Sequence, residues 1–284
     1  MSKILVTGSA GFLGKKVVKS LLELNFSIIG VDLKKNNISH PNYEEEIIDI
    51  RKLKINEKLS SIIHLASVMN PPKGMSDGEI ESIEIDGINN LISIFKNYGQ
   101  NKFIFTSSGA AYGYTKRNLK PLKETDEVIG NIYFPYSKHK AESEIIIRRE
   151  VEAKNRVILR PGTILGSGMR GPIHDYFKKK IIYGVTNYQS PFCFIHTDDV
   201  VEAINQSIIK SNLYGTFNLS GDGFLSLAEC CDLLRRKHIK LPKVALKTGI
   251  HLLKKFKLTR YHPYQVDFMC YRPVLNNDKF KKNF

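Results

Sequence analysis

The glycine-rich segment TGSAGFLG (7–14) constrains the fold of this chain more than any other feature. It follows a short apolar run of strand character and precedes residues 11–25, whose apolar side chains recur at helical spacing. In such a turn Gly8 permits the tight bend, Gly11 lets the backbone approach a pyrophosphate, and Gly14 lets the helix pack closely on the strand. Because the N–H groups at the start of the helix then face the phosphates, the segment predicts dinucleotide binding.

Strand-like apolar runs alternate with amphipathic segments over the first half of the chain. The runs expected to form strands are 3–8, 27–33, 60–67 and 102–108, with later additions at 155–166 and 192–196. Residues 80–99, between the third run and the fourth, have helical periodicity. Strands that alternate with helices form a parallel sheet covered on both faces. The sequence therefore predicts an α/β fold with a Rossmann-type doubly wound parallel sheet.

The alternation breaks down in two segments, 167–191 and 221–284. We expect these segments to form a small, largely C-terminal substrate-binding lobe. Residues 1–166 should form the dinucleotide-binding core, to which residues 192–220 return. The lobe should cover the carboxyl edge of the sheet, where open parallel sheets bind their ligands.

Asp32 ends the second predicted strand, about 20 residues beyond the glycine turn. A carboxylate in this position accepts hydrogen bonds from the adenosine ribose hydroxyls and repels a 2′-phosphate. The position favours NAD over NADP, although Lys34 and Lys35 nearby would attract that phosphate. The alternative reading is an ordinary loop aspartate.

Tyr136 and Lys140 lie four residues apart in the stretch FPYSKHKAESE (134–144). Proline is tolerated in the first turn of a helix, and residues four apart share one helical face. Taken alone, the stretch favours an ordinary charged surface helix, because Tyr-x-x-x-Lys arises often by chance in a lysine-rich chain. We expect His139, within the same helix, to be solvated.

The formal charge is +15 over 284 residues, and much of the excess lies near the C-terminus. The basic segments there are RRKHIK (235–240), HLLKKFKL (251–258) and KFKKNF (279–284). Such an excess indicates either an anionic partner or simply a lysine-rich composition. The segment 251–258 suits an anionic membrane surface as well as a solvated helix face. No aromatic-interleaved or zinc-finger pattern indicates nucleic-acid binding.

The four cysteines are Cys193, Cys230, Cys231 and Cys270, and none forms a C-x-x-C pair. We expect them to be reduced and mostly buried, and we expect no metal site. No apolar run approaches the roughly 20 residues of a membrane span, and the N-terminus has no signal-peptide pattern. The predicted location is the cytoplasm.

Further motifs along the chain complete a family pattern. They are IDIRKL (48–53), HLAS (64–67), FTSSGAAYG (105–113), LRPGTILG (159–166), FIHTDDVVEAI (194–204) and GTFNLSGDGFLSLAE (215–229). With the glycine turn and the Tyr136 helix, they resemble the extended short-chain dehydrogenases/reductases. Within that superfamily the chain resembles the NAD-dependent epimerase/dehydratase group, which includes the sugar-nucleotide 4-epimerases. The resemblance runs from residue 3 to at least residue 221 and continues more weakly to the end.

The resemblance implies roles for individual residues. Tyr136 would act as the acid–base group, Lys140 would favour its phenolate and hold the nicotinamide ribose, and Ser108 would orient the substrate oxygen, with Ser107 as the alternative. An ammonium nearby and the positive nicotinamide ring should lower the pKa of tyrosine, which is normally near 10. His64 and His196 would be structural. The residues implied to hold the cofactor are Gly8, Gly11, Phe12, Leu13, Gly14, Asp32, Asp49, Ile50, Leu65, Ala66, Ser67, Thr106, Tyr136, Lys140, Pro161 and Thr163.

The pattern departs from that of sugar-nucleotide enzymes at the substrate. Thr163 stands where those enzymes usually have asparagine, and the segment around Phe192 lacks their diphosphate-binding arginine. The helix motif that normally reads Asn-x-x-Gly has Asp86 directly before Gly87. The insertion between residues 166 and 196 also looks shorter than in typical epimerases. Arg170 or Lys178 to Lys180 would have to supply the missing phosphate contact.

Three functions remain open from the sequence. The first is an NAD-dependent epimerase, dehydratase or reductase of a nucleotide-activated sugar. The second is an NAD(P)-dependent reductase or dehydrogenase of a ketone or alcohol without a nucleotide, and the third is a non-catalytic NAD-bound sensor or scaffold. Family members often pair through the helices near 80–98 and 136–153, which predicts a homodimer. Here the apolar residues Ile80, Ile83, Leu91, Ile145 and Ile146 would either form that face or pack on their own sheet.

Overall fold

The computed structural model describes residues 3–69, 71–72, 74–169, 171–259 and 262–284. Its strands are β1 (Lys3–Thr7), β2 (Ile28–Asp32), β3 (Tyr43–Ile47), β4 (Leu59–His64), β5 (Gly99–Thr106), β6 (Arg156–Pro161), β7 (Thr163–Leu165), β8 (Ile181–Val185), β9 (Phe194–His196), β10 (Gly215–Leu219) and β11 (Lys237–Leu241). Seven of them form one sheet in the order β10–β6–β5–β4–β1–β2–β3. All neighbouring pairs in it are parallel, which confirms the predicted doubly wound sheet.

The described residues also form helices. They are α1 (Phe12–Glu23), α2 (Asp77–Tyr98), α3 (Pro135–Glu150), α4 (Pro172–Lys178), α5 (Thr197–Ile209), α6 (Leu227–Leu233), α7 (Lys243–Lys255), α8 (Val266–Cys270) and α9 (Asp278–Asn283). α1 and α5 pack together on one face, and α2 and α3 pack together on the other. In β1, Ile4 and Val6 join the first of these cores while Leu5 joins the second, as the two-residue period of a strand requires.

β3 was not predicted from the sequence. Its residues, YEEEI, carry three consecutive glutamates and no apolar alternation. The strand lies at the edge of the sheet, where its described pairing is with β2; Tyr43 packs on a core, while Glu44, Glu46 and Ile47 are exposed. A strand of this kind is formed by backbone pairing, and such pairing leaves no hydrophobic pattern to read.

The segments predicted to form the lobe pair with each other through β8 and β11. A second small parallel pair joins β7 to β9, so β9 does not enter the main sheet as the prediction for residues 192–220 implied. The end of the chain also differs from the prediction, because α9 packs on β10. Phe280 and Phe284 there contact the core beneath α1 and α5. The last residues of the chain therefore pack on the main sheet, although they were predicted to belong to the lobe.

The helix faces predicted to mediate dimerisation are largely used within the chain. Ile80 and Leu91 are buried in the core under α2, and Ile83 and Ile146 are half-buried. Ile145 alone of the five predicted residues is exposed, at 52%. The predicted apolar face therefore reduces to one side chain.

The four cysteines are buried and free, as predicted. None of the helices in the described parts of the chain is long and apolar enough to cross a lipid bilayer. Across the same residues, no group of three or more histidine, cysteine, aspartate and glutamate side chains is placed to hold a metal ion.

Candidate active site

The glycine turn joins β1 to α1 at the carboxyl edge of the sheet. Gly8 has φ +72°, a conformation that favours glycine. A Cβ added at Gly14 would lie 2.0 Å from the carbonyl oxygen of Gly8, and one at Gly8 would lie 2.7 Å from the amide nitrogen of Ala66. Side chains at these two positions would push helix, turn and β4 apart, so the turn is as compact as the sequence predicts.

The N-terminus of α1 offers unpaired backbone N–H groups. Gly11 is its N-cap residue, no side chain caps it, and its first turn contains no acidic residue. Phe12 and Leu13 form the first turn, with Leu13 packed on the core. An uncapped N-terminus next to a glycine turn fits the pyrophosphate of a dinucleotide, because the helix dipole and the N–H groups both favour an anion.

Asp32 and Asp49 follow neighbouring strands on the same edge. Asp32 ends β2, and its carboxylate accepts hydrogen bonds from the backbone N–H groups of Ala10, at 3.0 Å, and Lys34, at 3.1 Å. Asp49 follows β3 and accepts two hydrogen bonds of 3.0 Å from the guanidinium of Arg51, which lowers the pKa of Asp49. The side chain of Ile50 is buried in the core, so only its backbone is free to contact a ligand.

The HLAS segment after β4 runs alongside the glycine turn. Leu65 and Ala66 pack against the two cores, one on each face of the sheet. The hydroxyl of Ser67 donates a hydrogen bond of 2.7 Å to the carboxylate of Glu84 in α2. His64 is buried, shares a hydrogen bond of 2.7 Å with Thr7, and stacks on Phe105, which agrees with its predicted structural role.

The two candidate serines at the end of β5 have different surroundings. The hydroxyl of Ser107 is buried and donates a hydrogen bond of 2.6 Å to Glu144. Ser108 instead lies close enough to Tyr136 for its hydroxyl to lower the pKa of the phenol. The structure thus places Ser108 beside Tyr136 and uses Ser107 to anchor α3 to β5.

Lys140 is 2% exposed and lies one helical turn beyond Tyr136 in α3. Its Nζ donates a hydrogen bond of 3.2 Å to the carbonyl of Thr106 and lies 5.8 Å from the centre of the Tyr136 ring. Burial lowers the pKa of Lys140, and the carboxylates of Glu84 and Glu144 oppose that shift. The hydroxyl of Thr106 is buried and has no hydrogen-bond partner among the described residues.

In this structure the pKa of Tyr136 is raised to about 12. Burial is the main cause, and the carboxylate of Glu84 adds to the rise while Ser108 opposes it. The phenol therefore holds its proton at neutral pH. The predicted lowering of this pKa depends on the positive nicotinamide ring as well as on Lys140, so it stays a prediction for the NAD-bound protein.

Glu84 is the first functional candidate that the sequence analysis missed. It is 5% exposed, and one of its carboxylate oxygens also accepts a hydrogen bond from the N–H of Val68. Glu84 lies three residues before Gly87, so it holds the first position of the motif that usually reads Asn-x-x-Gly. Asp86, which the sequence analysis assigned to this motif, is exposed and accepts a hydrogen bond from Ser82.

Arg272 is the second candidate that was missed. It is 9% exposed, and its Nε donates a hydrogen bond of 3.0 Å to the carbonyl of Pro191. Its Nη2 lies 3.4 Å from the hydroxyl of Thr163, whereas Nη1 is buried without a hydrogen-bond partner in the described residues. Burial lowers the pKa of Arg272. A buried guanidinium with a free nitrogen is suited to binding an anion.

The sequence analysis also named four basic residues as possible phosphate contacts. Lys178, Lys179 and Lys180 are exposed, and Arg170 lies outside the described residues. Pro161 ends β6 in the main sheet, and Thr163, which Arg272 contacts, begins β7.

Two other histidines of the motifs are also placed. His139 was predicted to be solvated but is buried between α3 and α2, where burial lowers its pKa and Glu84 and Glu142 oppose the shift. The error arose because α2 covers the side of α3 that would otherwise face solvent. His196 caps α5 by accepting a hydrogen bond from the N–H of Asp198, which agrees with its predicted structural role.

A parallel α/β sheet with this turn, and with a tyrosine, a lysine and a serine beside it, defines a dinucleotide-dependent enzyme. Comparison with known proteins identifies the family. A sequence profile of the NAD dependent epimerase/dehydratase family matches residues 4–219. The chain therefore belongs to this family of NAD-dependent enzymes.

Individual relatives agree with this family. The chain is 30% identical over 226 residues to a putative UDP-glucose 4-epimerase of Methanocaldococcus jannaschii, covering 70% of this chain and 71% of that protein. It is 24% identical over 276 residues to the dTDP-4-dehydro-6-deoxyglucose reductase of Escherichia coli, covering 87% and 85%. Among solved structures, UDP-glucuronic acid 4-epimerase from Bacillus cereus in complex with NAD superposes with a TM-score of 0.69 at 22% identity, covering 84% and 87%.

Proposed function

We propose that this protein transfers a hydride between NAD and a carbinol or ketone of a nucleotide-activated sugar. The observation that carries the proposal is the grouping of Ser108, Tyr136 and Lys140 at the carboxyl edge of the sheet, beside the glycine turn. A non-catalytic sensor would not need these three side chains together. NAD supplies the hydride acceptor and donor when it is bound.

Each side chain has a distinct part in the proposed reaction. The hydroxyl of Tyr136 exchanges a proton with the substrate oxygen, and the hydroxyl of Ser108 orients that oxygen. Because the pKa of Tyr136 is raised to about 12, its phenol is protonated at neutral pH and can supply a proton to the carbonyl oxygen as hydride adds to the carbonyl carbon. The reverse step requires a lower pKa, which the charge of Lys140 and a positive nicotinamide ring would favour.

The residues proposed to hold NAD surround the same edge. The phosphates would contact the backbone of Gly8, Gly11, Phe12, Leu13 and Gly14, and the ribose next to adenine would contact Asp32. The remaining proposed contacts are Asp49, Ile50, Leu65, Ala66, Ser67, Thr106, Lys140, Pro161 and Thr163.

Asp32→Ala should weaken NAD binding more than NADP binding in a fluorescence titration, because only NADP carries the phosphate that the carboxylate repels. An equal loss for both cofactors would refute the preference for NAD.

A nucleotide-activated sugar is supported by the relatives and by Arg272. The relatives are named for UDP-sugar and dTDP-sugar chemistry. Arg272 brings a buried positive charge to the region of Thr163 and Phe192, where the resemblance would place an arginine from another segment. The absence of a diphosphate-binding arginine near Phe192 made a substrate without a nucleotide the main alternative. Arg272 supplies a positive charge in that region.

Tyr136→Phe tests the proposed reaction. The substitution removes the proton-exchanging hydroxyl and keeps the ring, so turnover should fall by at least about 1,000-fold while the Kd for NAD stays within about twofold. A thermal-shift screen against nucleotide sugars, with uridine and thymidine diphosphates as controls, identifies the substrate to be used. Unchanged turnover would contradict the mechanism, and no response to any diphosphate would favour the alternative substrate class. Net accumulation of NADH would distinguish a dehydrogenase from an epimerase, which returns its hydride.

We also propose that the protein acts in the cytoplasm as a homodimer paired through α2 and α3. Buried, reduced cysteines suit a reducing compartment. Ile145, exposed on α3, is the available apolar contact for the partner helix. Ile145→Lys should therefore convert a dimer to a monomer in light scattering, and a dimer that survives this change would place the interface elsewhere.

A further inference from the structure

The outer surface of the lobe exposes a group of large apolar side chains around the end of α7. Residues 251–258, HLLKKFKL, are eight consecutive exposed residues. Phe256 is 68% exposed and Leu258 is 73% exposed, and Leu252 and Leu253 are exposed beside them. Single exposed apolar residues are common, but a contiguous group of this size marks an interaction surface.

The helix α7 is packed against the rest of the protein, so the exposure of these apolar residues is not the result of an unpacked helix. Leu246 and Ile250 pack into the cluster that contains Val266 and Tyr136. Lys243 and Lys247 both form ion pairs with Asp267, the first at 2.7 Å. At 3.6 residues per turn, Leu252 and Phe256 lie on the opposite side of α7 from these contacts. The helix therefore has one packed face and one apolar face that no other described residue covers.

Asp267, which pairs with Lys243 and Lys247 on the packed side of α7, directly follows a long stretch of sequence whose charges are all positive. From residue 233 to residue 266 the sequence contains ten lysines and arginines and no aspartate or glutamate. This span supplies ten of the fifteen net positive charges of the whole chain. Lys254, Lys255 and Lys257 alternate directly with the exposed apolar residues, and all three are exposed.

We propose that the exposed face of α7, with residues 256–258, docks on an anionic lipid bilayer. An amphipathic basic helix binds such a surface by inserting its apolar side chains into the interface while its lysines contact anionic headgroups. A second copy of this chain would bring like charge against like charge. A nucleic acid would use the lysines and leave Leu252, Phe256 and Leu258 in water. The bilayer is the partner that uses both features.

Co-sedimentation of the full chain with vesicles tests this surface. The protein should pellet with vesicles of phosphatidylcholine containing about one third phosphatidylglycerol and stay in solution with pure phosphatidylcholine. Because the attraction is partly electrostatic, binding should weaken as salt rises from 50 to 500 mM. No binding to the anionic vesicles at low salt would overturn the proposal, and so would binding to duplex DNA or RNA without binding to vesicles.

Two triple variants separate the charge from the apolar contact. The first is Lys254→Gln with Lys255→Gln and Lys257→Gln, and the second is Leu252→Ser with Phe256→Ser and Leu258→Ser. Each should lower vesicle binding by at least about tenfold. The matched control is Leu119→Ser with Lys116→Gln and Lys120→Gln, because Leu119 is 72% exposed between lysines elsewhere on the surface. Equal losses in the control and in the α7 variants would mean that the binding is not specific to this face.

A tryptophan reporter provides a test that does not depend on removing a contact. The chain contains no tryptophan, so Phe256→Trp creates a single fluorophore. Its emission should shift to shorter wavelength with anionic vesicles and be quenched by brominated acyl chains. Tyr214→Trp, at a surface position 52% exposed in the original chain, should show neither effect. Emission from Trp at position 256 that is unchanged by the vesicles would overturn the proposal.

Discussion

The Cζ atom of Arg272 lies 3.9 Å from the ring centre of Phe192, and the same guanidinium reaches the hydroxyl of Thr163. The two residues are 80 positions apart in sequence, and Phe192 is the position near which the family pattern expects an arginine. The positive charge near Phe192 therefore comes from Arg272, in the C-terminal part of the chain. Charge at this point is the property that an anionic substrate requires.

Replacing Arg272 with methionine should separate substrate binding from folding. Arg272→Met removes the charge and keeps much of the volume, so the KM for a nucleotide sugar should rise by about 10- to 100-fold, as loss of a charge-assisted hydrogen bond implies. The Kd for NAD should stay the same. The Tm should be unchanged or higher, because a buried, partly unpaired guanidinium is costly to the folded state. Arg149→Met on the outside of α3 is the control, and an unchanged KM for Arg272→Met would remove Arg272 from the substrate site.

Glu84 should set the pH range of the reaction through Tyr136. A carboxylate near the phenol disfavours the phenolate, and Glu84 raises the pKa of Tyr136. Glu84→Gln keeps an oxygen to accept hydrogen bonds from Ser67 and Val68 but removes the charge. The acid limb of kcat/KM in the direction that oxidises the substrate should therefore move to lower pH.

The control for Glu84 lies on the same helix. Asp86→Asn removes a carboxylate that faces solvent and should leave the acid limb where it is. The relevant measurement is a pair of pH–rate profiles taken with the same substrate. A shift of equal size in both variants would show that the effect comes from overall charge and not from the position of Glu84.

Glu144 and Arg160 form a buried ion pair that holds α3 against the sheet. Both side chains are almost completely buried, with Nη2 2.6 Å and Nε 2.9 Å from the carboxylate oxygens, and Ser107 donates to the same carboxylate. Glu144→Gln leaves the guanidinium without a counter-charge and should lower the free energy of unfolding by about 3–5 kcal/mol in urea titrations.

Glu142→Gln on the same helix serves as the comparison for Glu144. Glu142 pairs at 3.6 Å with Lys138 in a partly exposed ion pair, and its loss should cost much less. If the two variants unfold at the same urea concentration, the buried pair is not what secures α3.

The parts of the candidate site whose residues are close together in the sequence could be predicted. The glycine turn and the pair Tyr136 and Lys140 depend on residues within eight positions of one another, and local helix geometry then fixes their arrangement. Asp32 was predictable for a similar reason, since the second strand of the parallel sheet must end beside the first.

The parts that depend on tertiary packing were not predictable. Arg272 and Thr163 are more than 100 residues apart in the sequence, so no local sequence pattern could predict their contact. The burial of His139 depends on α2 lying over α3, which also turns Glu84 toward Tyr136. The spacing of Glu84 to Gly87 was visible in the sequence, but a glutamate in place of asparagine concealed it.

His64 should make the folded protein sensitive to acid. Burial lowers its pKa to about 3, against about 6.5 in an unfolded chain. Between these values the unfolded state binds a proton that the folded state does not, so the free energy of unfolding falls as the pH falls. From pH 7.5 to pH 5.0 this single group should remove about 2 kcal/mol of stability.

His64→Gln removes that titration and keeps a side chain able to hydrogen-bond to Thr7. The variant should be less stable than the wild type at pH 8, because it loses the ring that stacks on Phe105. The difference between the two proteins should then narrow by about 2 kcal/mol at pH 5.0, while other groups titrate equally in both. Urea unfolding at a series of pH values measures this change. Two stability curves that stay parallel from pH 8 to pH 5 would show that the buried imidazole is not the group that titrates on unfolding.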